Sequence, residues 1–305
     1  MTLATLFSGS FLSTVVLETT PILLAALGCL YTMRANILNV ALEGIMLIAA
    51  FCAISVGAAT HSAALGVAAA VISGMLVAVV FGYISLYMRA GFIVAGIGIN
   101  IFASGATVFM LERLYNNEGS YTPDHFPALT TIASPVIQAI PLIGPALNGQ
   151  SVIVYFALVA VPLSHAILFR TPFGLRIRAT GESPDAVLAA GLDPQRIKFA
   201  TVLISGLLGG LGGAQLAMAQ LQFFVHDMTN GRGFIGLAAM LFGGASPVGT
   251  LVASLVFGLA TAVSDQMQAS ALPSELVLMV PYIVTIAALM LTSIQRLRRS
   301  RLLAP

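Results

Sequence analysis

Between Arg34 and Arg89 the chain carries a single acid, Glu43, and no lysine or arginine. Apolar stretches of that kind leave little choice of solvent, because about 20 mostly apolar residues make a helix long enough to cross a bilayer. Such stretches recur at 11–31, 36–58, 62–88, 91–111, 151–169, 199–219 and 275–294. Another, 234–264, is too long for one span and is interrupted at Gly243-Gly244-Ala245-Ser246-Pro247, where glycine and proline weaken a helix and free its backbone groups. It reads as two pieces, 234–243 and 248–264, the first a half-helix ending inside the bilayer. Composition agrees, with 58% apolar residues, 8% charged residues and a mean hydropathy of +1.00, against roughly 25% charged in soluble domains. The expected fold class is an all-α polytopic membrane protein of about eight to ten transmembrane helices, with a broken or half-helix near 234–250. The whole chain, 1–305, reads as a single transmembrane domain.

The scarce charges exclude several functions. Lys198 is the only lysine and no glycine precedes it, so the Gly-Lys pair of a phosphate-binding loop is missing. Any energy from ATP must come through another polypeptide. No basic face with interleaved aromatics serves nucleic acid. Cys29 and Cys52 lie in apolar runs, and His61, His165 and His226 are far apart, so no metal site and no cofactor bound by this chain is expected. An intramembrane enzyme needs clustered catalytic groups, and no such set is visible; the chain does not read as an enzyme.

Arginine placement orients the spans. Arg170, Arg176, Arg178, Arg196 and Lys198 share one loop, 170–198, and Arg296, Arg298, Arg299 and Arg301 form the tail. The positive-inside rule places both in the cytoplasm, C-terminus included, and leaves 112–150 as an outer loop. Within 170–198, Ser183 suits an N-cap, Pro184 the first helical position and Asp185 the positive helix start, while Gly191 is placed to end the helix in a left-handed conformation. So short a helix needs a surface to pack on. That surface is either its own spans or a cytoplasmic protein docking on the small alanine side chains.

At this loop the chain resembles a known family. RATGESPDAVLAAGLDP (178–194) resembles the coupling loop of ABC-importer membrane subunits, in the group serving branched-chain amino acids, ribose-type sugars and nucleosides. NILNVALEGIMLIAAF (36–51) is similar to the Asn-x-x-Leu-Glu-Gly segment of the simple-sugar and nucleoside branch, and DMTNGRGFIGLAAMLFGGASPVGT (227–250) to its Met-Thr-x-Gly-Arg-Gly-Phe segment and the break after it. The resemblance implies a permease subunit of the bacterial inner membrane that moves a nucleoside or simple sugar. It implies three partners: an ATPase subunit with two nucleotide-binding halves, a second permease subunit (identical or not) and an extracytoplasmic substrate-binding protein. On this sequence the ATPase-coupling element maps onto Arg178, Gly181, Glu182, Ser183, Pro184, Asp185, Ala186 and Gly191. A branched-chain amino acid permease and an ion-coupled secondary transporter are the alternatives; the second needs an unpaired intramembrane carboxylate, for which Glu43 is the candidate.

Polar residues in apolar spans tend to face protein or water. Read as one helix, 36–58 would place Asn36, Asn39 and Glu43 on one face. There they line the substrate path or a broken-helix site beside it; alternatively Glu43 pairs with Arg34 or caps a neighbouring helix. Asn100 is a further candidate for the path, or else bonds between helices. Phe223 and Phe224 offer ring faces for a sugar or base, or belong to an interfacial belt. Arg232 contacts substrate or pairs with Asp227. Glu18-Thr19-Thr20-Pro21 reads as a structural kink, and the GxxxG spacings at 206/210 and 209/213 as close helix packing.

Overall fold

Proline and threonine shape the first helix, α1 (Gly9–Arg34), as seen in the computed structural model, which describes residues 9–268 except 118, 124–125, 127, 134 and 139–143. Pro21 cannot donate to the carbonyl of Leu17 one turn back. The side-chain amide of Gln220 supplies the missing donor at 2.7 Å. Thr19 and Thr20 turn their hydroxyls back onto Val15 and Val16, so no polar group of the kink faces lipid.

Three more helices follow: α2 (Leu42–Thr60), α3 (Ala63–Gly82, continued by a π-helical turn, Tyr83–Tyr87) and α4 (Phe92–Tyr115). The next connection holds β1 (Ser120–Tyr121), β2 (Thr131–Ile132), the short helices α5 (Pro135–Gln138) and α6 (Gly144–Leu147), and β3 (Gln150–Ser151). Beyond it come α7 (Val152–Arg170), α8 (Pro172–Glu182), α9 (Pro184–Ala189) and α10 (Pro194–Ala214, continued by a π-helix, Gln215–Leu221). The described chain ends with β4 (Phe224–Val225), α11 (Arg232–Phe242) and α12 (Pro247–Gln268).

Among the described residues, seven helices are long and apolar enough to cross a membrane, and α11 is a shorter apolar helix. The chain is thus the expected all-α polytopic membrane protein, with the half-helix and its break where they were expected. The stretch 275–294 and the arginine tail lie outside the described residues. Helix α4 runs through Tyr115 and α10 starts at Pro194, so both extend beyond the ends expected for the loops 112–150 and 170–198.

Helices α1, α2 and α10 form the centre, with 72%, 67% and 72% of their apolar windows buried, against 28% for both α3 and α4. Glycine makes that centre possible. A Cβ on Gly213 would overlap the carbonyl of Met46, and one on Gly210 would stand 2.7 Å from the carbonyl of Ala70. The GxxxG spacing therefore lets α10 touch the backbones of α2 and α3 on two sides.

One expectation fails locally. Residues 36–41 are not helical, so Asn36, Asn39 and Glu43 do not share a helical face. Asn36 is left-handed (φ 59°), the chain turns back, and Cys29 Sγ lies 3.7 Å from the carbonyl of Asn39. Asparagine side chains replace the helical bonds. Asn39 accepts from the Ala41 amide at 3.0 Å and donates to Ser205 Oγ at 2.9 Å, while Asn100 accepts from the Gly44 amide at 2.9 Å and donates to the Val40 carbonyl at 3.0 Å. Non-helical backbone survives inside a membrane protein only when protein groups satisfy it in this way.

The connection after α4 is tied down along one face. β1 pairs antiparallel with β4, and β2 with β3. Gln150 donates to Ser13 Oγ at 2.8 Å, and Ser151 donates to Gln215 at 2.7 Å. Helices α8 and α9 lie at the opposite end of α1, where the carbonyl of Arg34 packs on Gly181.

Candidate functional site

Two helices begin near one carboxylate. Glu43 sits in the first turn of α2, and it also accepts from the amides of Gly231 (2.8 Å) and Gly233 (2.7 Å), which open the half-helix α11. Helix starts carry unpaired N–H groups and a partial positive charge. Glu43 thus answers the start of its own helix and that of α11 together. Left-handed backbone at Asn230 (φ 43°) and Gly231 (φ 79°) turns both donors toward it. Gly233 is obligatory, since a Cβ there would run into the backbone of Glu43.

Arg232, beside these amides, points the other way. Its Nη2 meets Glu18 Oε2 at 2.9 Å, with side chains 16% and 9% exposed, and Asp265 of α12 stands within electrostatic reach of both. Asp227 instead pairs with His226 at 3.0 Å, so Arg232 and Asp227 are not partners. Nor does Glu43 pair with Arg34, whose Nε donates to the carbonyl of Ala245 at 2.9 Å. The sequence assigns Glu18 to a kink, with structural use favoured over binding, but reveals neither its pairing with Arg232 nor the approach of Asp265. The signal available was the rarity of any charge at that depth.

The remaining candidates spread around this junction. Asn39 and Asn100 hold the extended segment before α2 and touch the same turn as Glu43. Phe224 is fully buried, edge-on to Phe51 with ring centroids 5.2 Å apart, while Phe223 is half-buried. Under the tied-down connection lies a small cavity of about 120 Å³, lined by Leu17, Thr131, Gln150, Ser151, Met218 and Gln222 among others. No three His, Cys, Asp or Glu side chains gather to hold a metal among the described residues.

At the far end, the α8–α9 segment has the local structure its residues dictate. Ser183 Oγ accepts from the Ala186 amide at 3.4 Å, Pro184 opens α9 with Asp185 in its first turn, and Gly191 is left-handed at φ 78°. Val187 is 4% exposed and anchors α9 to the body; Leu188 is 63% exposed, and Asp185, Ala186 and Ala189 face outward with it. Arg178 of α8 lies half-buried, 5.2 Å from the ring centre of Phe169. Glu182 is exposed.

The bundle thus carries a short apolar helix with a break after it and, at one end, the partly exposed helix α9. The family described as "Branched-chain amino acid transport system / permease component" matches residues 11–289, and the chain belongs to that family. It is 36% identical to the guanosine ABC transporter permease protein NupQ of Bacillus subtilis, over 88% of this chain and 87% of that one. It is 34% identical to the nucleoside ABC transporter permease protein NupC of Lactococcus lactis, over 89% and 88% of the two chains. Among solved structures it is similar to PsaBC from Streptococcus pneumoniae in complex with Fab, with TM-score 0.51 and 12% identity over 90% of this chain and 89% of that one, a likeness of fold. The family is the one the three sequence strings resembled, and the chain is a multi-pass membrane protein with a transport role.

Proposed function

We propose that this chain is the membrane-spanning permease subunit of an ABC importer that carries nucleosides inward across a bacterial inner membrane. The face bearing α8 and α9 is cytoplasmic, together with the C-terminus, and the connection 116–149 lies outside. A separate ATPase with two nucleotide-binding halves docks on α9. A second permease completes the pore, and an extracytoplasmic binding protein delivers the solute.

The observation that carries this reading is α9: a helix capped at both ends, anchored by one valine, with its alanine and leucine side chains left uncovered. Arg178, Gly181, Glu182, Ser183, Pro184, Asp185, Ala186 and Gly191 form and support that docking element. Support for nucleosides comes from the guanosine and nucleoside permeases that the chain resembles across nearly its full length. Asn39, Glu43, Asn100, Phe223, Phe224 and Arg232 border the path, the polar groups positioning the broken backbone around which solute passes. A secondary transporter fits less well, because both oxygens of Glu43 are already bonded to backbone amides.

Uptake by proteoliposomes holding the complete transporter tests the proposal. Labelled guanosine should accumulate with internal or external ATP supplied to the ATPase side, and accumulation should vanish with an ATPase partner that binds ATP without hydrolysing it. Uptake by this chain alone, driven by a proton or sodium gradient, would contradict it.

A further inference from the structure

Arg34 ends α1 on the docking face, and its guanidinium joins three parts of the molecule. Nε donates to the carbonyl of Ala245 at 2.9 Å, and Nη2 bonds the same oxygen. The guanidinium also lies 5.3 Å from the ring centre of Phe169, near the end of α7. Arg178 approaches that ring to 5.2 Å, and its Nε is buried with no hydrogen-bond partner. The Arg34 carbonyl packs on Gly181, and the guanidinium lies within electrostatic reach of Arg178, which repels it, and of Glu182, which attracts it.

Ala245 is the strained member of this set. It sits between α11 and α12 with φ 50°, a left-handed conformation that residues with a Cβ adopt at a cost and keep only where their surroundings impose it. Its own amide closes the end of α11 on Met240, and Ser246 caps α12 through the Gly249 amide at 3.2 Å. The Ala245 carbonyl is thus the point where the angle between half-helix and next span is set, and Arg34 holds it.

We infer that Arg34 is the positioning residue that links the docking segment to the half-helix break: displacement of α8 shifts Arg178 and Phe169 against Arg34, which loosens its hold on Ala245 and lets α11 and α12 change angle. The inference rests on the permease reading and names the route of coupling within it. A planar fork suits the task, because it donates twice to one oxygen while stacking on a ring; a lysine ammonium does the first only in part and lacks the planar stacking of the second.

The test measures solute moved per ATP hydrolysed in the complete reconstituted transporter. Arg34→Gln should lower that ratio about tenfold, the equivalent of one charge-assisted hydrogen bond, with Arg34→Lys intermediate. Phe169→Leu leaves the Ala245 contact in place and cuts the bridge to Arg178; it should lower the ratio in the same direction and decides the matter if Arg34→Gln fails to assemble. Transport and hydrolysis falling in parallel, with the ratio at its wild-type value in these variants, would overturn the link. Failure of the underlying reading has its own signature, a wild-type transporter without any ATP-dependent uptake.

Discussion

Glu43 and Gly231, 188 positions apart, are joined by a 2.8 Å hydrogen bond from the Gly231 amide, and the other Glu43 oxygen takes the Gly233 amide at 2.7 Å. Glu43→Gln keeps one acceptor but turns an NH₂ group toward an amide and removes the charge that faces two helix starts. The expected cost is about 2 kcal/mol, typical of a hydrogen bond to a charged group. Uptake should fall about tenfold and the unfolding midpoint in detergent should drop, while membrane abundance changes less. Normal uptake in this variant would remove Glu43 from the transport path.

Glu18 and Arg232 form a largely buried ion pair at 2.9 Å. Removing Arg232 leaves Glu18 beside Asp265 with no cation to balance them, a loss of about 3 kcal/mol, whereas removing Glu18 as well, with apolar residues at both positions, costs much less. Arg232→Leu should therefore lower thermal stability more than the Glu18→Leu/Arg232→Leu double variant does. A double variant as unstable as the sum of the two single ones would show that the pair is not coupled.

Gln220 bonds the carbonyl that Pro21 leaves free, which yields a rescue experiment. Gln220→Leu buries an unsatisfied carbonyl at a cost of about 1–3 kcal/mol. Pro21→Ala restores a donor inside α1, so the same Gln220→Leu change made in a Pro21→Ala background should cost little. The measurement is the shift in melting midpoint of the four proteins; equal losses in both backgrounds would refute the role of Gln220.

Most of what was legible in the sequence is local. Ser183, Pro184 and Gly191 fold α9 through contacts within a few residues, and the Gly-Gly-Ala-Ser-Pro string at 243–247 ends one helix and starts another by backbone chemistry alone. The glycines of α10 announced close packing through their spacing. Distant pairings were invisible. Apolar residues around 36–41 look helical by hydropathy, and only Asn100 and Ser205, brought in by other helices, make the extended path there satisfiable. For the same reason Glu18, Gln220 and Arg34 gave no sign of their partners, each about 200 positions away. The sequence leaves Phe224 between a ring face for a solute and an interfacial belt, and its burial edge-on to Phe51 is not legible there.

Cross-linking from α9 tests the central claim most directly. Ala189 is exposed, and the natural cysteines Cys29 and Cys52 are buried and half-buried, so Ala189→Cys offers a distinct reactive thiol. In membranes holding the complete transporter, a short bifunctional reagent should join Ala189→Cys to the ATPase subunit, and Ala186→Arg should abolish both that product and uptake while the chain stays inserted. Cross-links confined to this chain, or full uptake with Ala186→Arg, would contradict the docking of a separate ATPase on α9.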